Sequence, residues 1–417
     1  MAASPDTDLR PAQVAAKLIV GPPGLRELAA LLFADEALMA QLAAQTDGRG
    51  FADAAIRCAT EHDLVLTESD LRDTLQADPL GLARWAPPAL GGRTLPPRHW
   101  LPATVTATPS GKAVDWLYFG AEALPEAFYE DSLRRALSLP INRALRYRTP
   151  LDDLIGQTAA RDNLKPDGFI FHMSRCGSTL VAQMLAALDD SIVISEAAPI
   201  DSALQLGRAV DAAAAAEALR AMVLAFGRRR SGRERRYFVK LDCWHTLALP
   251  VFRRAFPDVP WLFLYRDPVE VLVSQMRQRG MQTVPQYLPP GFYSIVAAER
   301  MTEEDYCARV LAAVCRAALD HRGLGGGLFL DYRHLPQAVF DVVLPHFGLS
   351  CSDAEAERMG QAAQRNAKSP GFAFVADSQS KQDGASAAVR RASGRHLDEI
   401  HARLERSAER RDQLNTA

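Results

Sequence analysis

A short loop between an apolar run and a helical run is the first place where this chain could do chemistry. In GFIFHMSRCGSTLVAQML (168–185), a strand-like segment ends, Ser174, Arg175, Cys176 and Gly177 turn tightly, and a helix opens at Ser178 and Thr179. Such an order aims the unpaired N–H groups of a helix start, and the positive end of its dipole, at an anion. Arg175 adds positive charge within the loop. A second point of this kind lies in WLFLYRDPVEVLVSQMRQRG (261–280), where Arg266 closes a strand and Ser274 stands two turns into the next helix. The two side chains can converge on one further phosphate. Alone, Arg266-Asp267-Pro268 is also an ordinary surface turn in which proline opens a helix. Glu196, after the apolar run IVIS, falls at the carboxyl edge of a strand, where α/β sheets take their ligands. Its plainer reading is a carboxylate that faces a helix dipole.

The first loop is close to a Walker A loop and departs from it twice. His172 stands where the first glycine belongs, and Ser178 where the lysine belongs. An ATPase without that lysine would lack its main contact to the transferred phosphate. Taken together, the loop and the Arg266…Ser274 pair resemble the sulfotransferase superfamily, which uses 3′-phosphoadenosine 5′-phosphosulfate (PAPS). The resemblance spans about 166–350. It implies that Ser174, Arg175, Cys176, Gly177, Ser178 and Thr179 hold the 5′-phosphosulfate and that Arg266 and Ser274 hold the 3′-phosphate. It also implies a P-loop fold that needs no metal. A sulfuryl group carries less charge than a phosphoryl group, so arginine, lysine and backbone dipoles can suffice.

Within that superfamily the chain resembles the branch of protein-tyrosine sulfotransferases and their bacterial relatives. There a loop arginine and a glutamate after the second strand replace the lysine and histidine of the cytosolic branch. On that pattern Arg175 is the catalytic loop arginine and Glu196 the general base. Lys240, at the end of YFVKLD, matches the lysine that stabilises the bridging oxygen of the leaving group. It is one of only six lysines among 48 basic residues. Without the resemblance it reads as a strand-end lysine that reaches back to water. His245 stands as an alternative base or as a helix cap. The cytosolic branch also closes a late basic loop over the nucleotide. SKQDGAS, with Lys381, is the nearest counterpart here, and Lys368 competes for the role.

The elements needed to position these residues are legible in the same stretch. GFIFHM, IVISEA, YFVKLD, WLFLYR and GLFLDY read as buried strands, and helical runs alternate with them. That alternation predicts an α/β fold, a P-loop three-layer α/β/α parallel sheet. One long helix is expected over 201–226, and RRRSGRERR (228–236) as a solvated loop. The expected organisation is a tail at 1–23, a small all-α domain at 24–78, a linker and accessory region at 79–164, and the P-loop domain at 165–417. In the helical part Thr67 is expected to cap a helix in a T-x-x-D form of the capping box. LRELAALLFADEALMAQLAAQ and FADAAIRCATEHDLVLTESDLRDTL resemble the leader-peptide domain named after nitrogen-fixation proteins and found in nitrile-hydratase-like leaders. That resemblance implies recruitment of a peptide or protein partner; a purely packing domain is the alternative.

Composition narrows the classes. The chain has 417 residues, 48% hydrophobic and 24% charged, with a net charge of −2. That is globular chemistry with no global field for nucleic acid. Six cysteines without a C-x-x-C pair argue against a disulfide framework or a zinc site, and nine histidines show no ligand spacing, so no metal is expected. No signal peptide or membrane span is read, and a soluble cytoplasmic protein is the expectation. The predicted reaction is sulfuryl transfer from PAPS to a hydroxyl of a peptide, sugar or small metabolite, with Tyr287, Phe292 and Tyr293 as a lid or acceptor wall and a plain surface loop as the alternative. A kinase-like P-loop enzyme and a non-catalytic nucleotide-binding adaptor are the alternatives.

Overall fold

A computed structural model describes residues 18–72, 74–76, 82–158, 161–208, 211–288, 293, 295, 300–365, 371 and 377–415. Residues 1–17, Phe292 and Lys368 lie outside the described residues. The chain divides into two compact units, 1–165 with 197–234, and 166–196 with 235–417. Residues 197–234, which the sequence places within one continuous domain, therefore belong to the first unit.

The first unit is built on a five-stranded sheet, β1 (Leu18–Val20), β2 (Leu90–Gly92), β3 (Trp100–Thr108), β4 (Gly111–Tyr118) and β5 (Tyr147–Pro150), in the order β1-β2-β5-β4-β3. The region 79–164, read as linker and accessory, thus supplies four of the five strands, β2 to β5. Helices Pro23–Ala34, Glu36–Ala43 and Gly48–Glu61 precede it. They share a core with the sheet: the Phe33 ring meets Trp100 and Tyr147 edge-on, each at 5.4 Å between centroids. At the next helix, Thr67 N–H donates to Asp70 Oδ2 at 2.9 Å, which is one half of the expected capping box.

The single helix expected over 201–226 is two, Ala198–Arg208 and Ala212–Phe226. Asp211 starts the second by accepting from Ala213 and Ala214 N–H at 2.6 and 2.8 Å, a side-chain cap that competes with helix continuation. The arginine run after it is a solvated loop only in part: Gly232, Arg233 and Arg235 are exposed, but the run begins buried. Arg228 and Arg230 are 2% and 4% exposed. Arg228 Nη1 donates to the carbonyls of Pro96, Pro97 and Trp100 at 3.1, 2.9 and 2.9 Å, and its guanidinium lies 4.5 Å from the Trp116 ring centre. A flat, weakly hydrated guanidinium can be buried this way where an ammonium could not.

The second unit is an α/β structure with a wholly parallel sheet. Its strands are β6 (Gly168–His172), β7 (Ser191–Ser195), β8 (Arg236–Lys240), β9 (Trp261–Tyr265) and β10 (Gly327–Asp331), in the order β10-β9-β6-β8-β7. Continuous apolar runs suit strands buried on both faces, and β6 and β9 are buried throughout. Helix Ser178–Ala186 packs on β6, β7 and β8, and helix Asp398–Asn415 on β10. No described helix is long and apolar enough to cross a membrane.

Candidate active site

The parallel order brings five carboxyl ends to one edge: His172, Ser195, Lys240, Tyr265 and Asp331 end their strands there. Because β8 lies between β6 and β7, its last residue, Lys240, pairs in register with Ser195 and Ile170. Glu196 follows directly, and its N–H donates to the Lys240 carbonyl at 2.8 Å.

The loop after β6 is bent by left-handed backbone. Ser174, Arg175 and Gly177 have φ of +80°, +50° and +88°, and Glu196 has +52°. Of the five described non-glycine residues with positive φ, Ser174, Arg175 and Glu196 stand at this edge. Each costs on the order of 1 kcal/mol, so the surrounding contacts must hold them. At Gly177 a Cβ would also lie 2.7 Å from the Tyr332 ring. The Ser174 hydroxyl is gripped by the side-chain amides of Gln275 and Gln282, both at 3.1 Å. Both glutamines are buried, and Gln275 Oε1 accepts from Gly280 N–H at 2.9 Å, which fixes that amide's orientation. Arg175 donates to the Gln278 carbonyl at 2.5 Å. Cys176 is fully buried and donates to the Leu264 carbonyl at 3.1 Å; burial pushes its thiol up to about 12. Ser178 and Thr179 open the helix, both buried.

Glu196 and Lys240 form an ion pair, and Glu196 Oε1 also lies 3.5 Å from His172 Nε2. The Glu196 side chain is 26% exposed, against 5% for His172 and 0% for Lys240. Glu196 is thus the member of the three that an incoming group can reach. Burial raises its carboxyl, but Lys240 and then the nearby His172 ring outweigh this and hold it well below the usual range. His172 is lowered, chiefly by burial. His245 sits in the turn after β8, where it and Asp242 cap each other's backbone in a short 3-10 helix.

A second charged cluster follows β9. Arg266 Nε donates to Glu270 at 2.6 Å, and its Nη2 donates to Asp377 Oδ1 at 2.8 Å and to Ser378 at 3.1 Å. Its guanidinium stacks on Tyr332 at 3.9 Å. Lys381 Nζ takes the other oxygen of Asp377 at 2.8 Å. Both cations are 5% exposed. One carboxylate therefore bridges Arg266 and Lys381. Burial opposes the Asp377 charge, yet Lys381 and Arg266 hold its carboxyl below the usual range. Ser274 is half-buried two turns along the helix Pro268–Arg277, its carbonyl taken by Gln278 N–H. Asp377 carries no signal in the sequence as a partner of Arg266. The i, i+4 spacing of Arg266 and Glu270 is the one available hint.

Met281, Val284 and Tyr287 are 46%, 38% and 59% exposed, in the segment that carries Gln282 to the loop. Among the described residues, the ligand atoms of Asp331, His401 and Glu405 lie within 4.8 Å of one another. Arg333 is already paired with Asp331 at 3.3 Å and Glu405 at 2.8 Å.

No family model matches the chain, and no curated protein matches it. Several solved structures do. One is the sulfotransferase domain from the curacin biosynthetic pathway, with 14% identity over 56% of this chain and 98% of that one, at a TM-score of 0.35. Another is a sulfotransferase from Mycobacterium avium, with 12% identity over 58% and 79%, at 0.35. A third is the sulfotransferase domain of a Synechococcus olefin synthase, with 14% identity over 56% and 95%, at 0.35. All three are sulfotransferases.

Proposed function

We propose that this protein is a PAPS-dependent sulfotransferase acting on a hydroxyl. The observation that carries the reading is the Glu196–Lys240 pair beside a phosphate loop that has no Walker lysine. Backbone N–H groups of the loop and helix start, with Arg175, Ser178 and Thr179, would receive the 5′ end of the donor. Arg266, Ser274 and Lys381 would receive the 3′-phosphate. The Asp377 carboxylate, held between Arg266 and Lys381, marks a position that accepts an anion and would yield it to the nucleotide.

In the transfer, the acceptor oxygen bonds to sulfur as the sulfur–oxygen bond to the phosphate breaks. The acceptor's proton passes to Glu196, and the bond's electrons stay on the phosphate oxygen, which Lys240 and Arg175 stabilise. A carboxylate held by a lysine is a weak base. An anion drawn to the loop would attract Lys240 away from Glu196 and raise the carboxylate's basicity where it is needed. Met281, Val284 and Tyr287 would wall an acceptor that is a peptide, a sugar or a small metabolite. The segment 24–78 would recruit a peptide or protein partner.

The test is a calorimetric titration without metal, with 3′-phosphoadenosine 5′-phosphate (PAP) in one cell and ATP–Mg²⁺ in another. Binding of PAP and none of ATP supports the reading. ATP binding with Mg²⁺ and no response to PAP overturns it in favour of a kinase-like enzyme.

A further inference from the structure

The residue in place of the first glycine of the phosphate loop is an imidazole with every polar atom engaged. His172 Nδ1 accepts from the Ser174 N–H at 3.0 Å. His172 Nε2 lies 2.8 Å from the Leu241 carbonyl and 3.5 Å from Glu196 Oε1. A backbone N–H can only donate and a carbonyl can only accept. The ring is therefore the neutral tautomer with its proton on Nε2, and that proton faces Leu241 and Glu196. Since Nδ1 is occupied by a backbone donor, the ring has no open site for a second proton.

Two residues held in left-handed backbone flank this ring. Ser174, φ +80°, bonds to one nitrogen, and Glu196, φ +52°, lies against the other. They belong to different loops, after β6 and after β7, with β8 between them. Gln275 and Gln282 hold the Ser174 hydroxyl from the far side. A continuous line of contacts thus runs from those amides through Ser174 and His172 to Glu196, alongside Lys240.

Resting on the sulfotransferase reading, we propose that His172 is a positioning residue that ties the phosphate loop to the base. It holds the Ser174 turn open for the anion on one side and aims the Glu196 carboxylate on the other. Its second task matters most once Lys240 has turned to the donor, because the His172 Nε2–H, shared with the Leu241 carbonyl, still stands 3.5 Å from Glu196 Oε1. The Nε2–H group also favours the ionised carboxylate, so it keeps Glu196 ready to accept a proton.

Two substitutions separate the halves. His172→Asn keeps an acceptor near Nδ1 and removes the Nε2 donor. His172→Gln keeps a donor near Nε2 and removes the acceptor. PAP affinity reads the loop side. The acidic limb of PAPS turnover against pH, with water as the acceptor probe, reads the Glu196 side. His172→Asn should leave PAP affinity nearly unchanged and move that limb up by about one pH unit, because loss of a donor disfavours the charged carboxylate. His172→Gln should leave the limb in place and weaken PAP by about tenfold. If both variants lose both properties alike, or neither, the ring only fills space and the proposal fails. Imidazole nitrogen NMR of the unmodified protein is the check that needs no variant to fold. It should show His172 neutral, with the proton on Nε2; the opposite tautomer, or a ring that protonates in the ordinary histidine range, overturns the proposal. Failure of the unmodified protein to bind PAP would instead sink the sulfotransferase reading, while the NMR result still judges the hydrogen-bonded line.

Discussion

The two units bury cations in opposite ways. In the first, Arg228 Nη1 donates to the carbonyls of Pro96, Pro97 and Trp100 and the guanidinium lies on the face of Trp116, while its buried Nε and Nη2 have no hydrogen-bond partner among the described residues. Burial and the nearby Arg161 push its ionisation well down. In the second, Lys240, Arg266 and Lys381 are satisfied by the side chains of Glu196, Glu270 and Asp377. Backbone carbonyls cannot leave without unfolding a loop, so Arg228 is a structural staple. A side-chain carboxylate can rotate away and be replaced by a ligand anion. On the proposed function, these buried cations held by exchangeable carboxylates are where an anionic ligand would compete.

The sharpest way to break this contrast is to cut the staple. Arg228→Met should destabilise the first unit by about 3 kcal/mol, because buried carbonyls lose their donor, and urea unfolding would measure it. A neutral result would mean the arginine is merely tolerated there. On the other side, Glu196→Gln should leave PAP affinity near normal and lower turnover by roughly 10²-fold or more. Full activity in that variant would remove Glu196 as base.

The Asp377 bridge makes a pair of predictions with opposite signs. Arg266→Ala should weaken PAP by more than about tenfold, in line with loss of a charge-assisted contact. Asp377→Asn should tighten PAP by up to about tenfold, since a competing carboxylate lowers the fraction of protein free to bind. The gain should be absent for ADP, which has no 3′-phosphate. Weaker PAP binding in Asp377→Asn would show that the carboxylate organises the site rather than competing for it.

The smallest effect is expected where a carboxylate lies far from this edge. Glu355 belongs to a capping box with Ser352 and pairs with Arg236 at 2.8 Å. The Ser352 contacts come first, and with Arg236 they lower its carboxyl to about 2. A lowered folded-state value means that its stabilisation is complete above the ordinary glutamate range and is lost as pH falls toward about 2. Ser352→Ala should cost about 1 kcal/mol at neutral pH, and less at the acid end of that window. An equal loss at both ends would show that the cap works without the Glu355 charge.

Much of the second unit is readable in the sequence alone. The strands around Phe171, Val193, Val239 and Phe263 are short apolar runs between turn signals, and the loop at 174–177 interrupts one such run just before a helix. These signals are local, so the residues alone carry them. The first unit was far less readable. Its short, separated strands pair across long loops, as when β2 meets β5, and Pro- and Gly-rich text looks the same in a linker and in an edge strand. The arginine run at 228–236 misleads for a related reason. Charge in a sequence predicts solvent, whereas burial depends on whether distant carbonyls and an indole wait to receive it.

What the sequence determined by itself is the order of strands, loop and helices around the carboxyl edge of the second unit, and the residue types there, because run length, periodicity and turn chemistry act between neighbours. What tertiary structure decided is the company those residues keep. Lys240 meets a glutamate 44 residues away, Arg266 an aspartate 111 residues away, and His172 a carbonyl 69 residues away. Strand order and desolvation set those meetings. The charge balance and the imidazole's proton follow from them, since electrostatic interaction depends on distance in space and on exclusion of water, and neither is written along the chain.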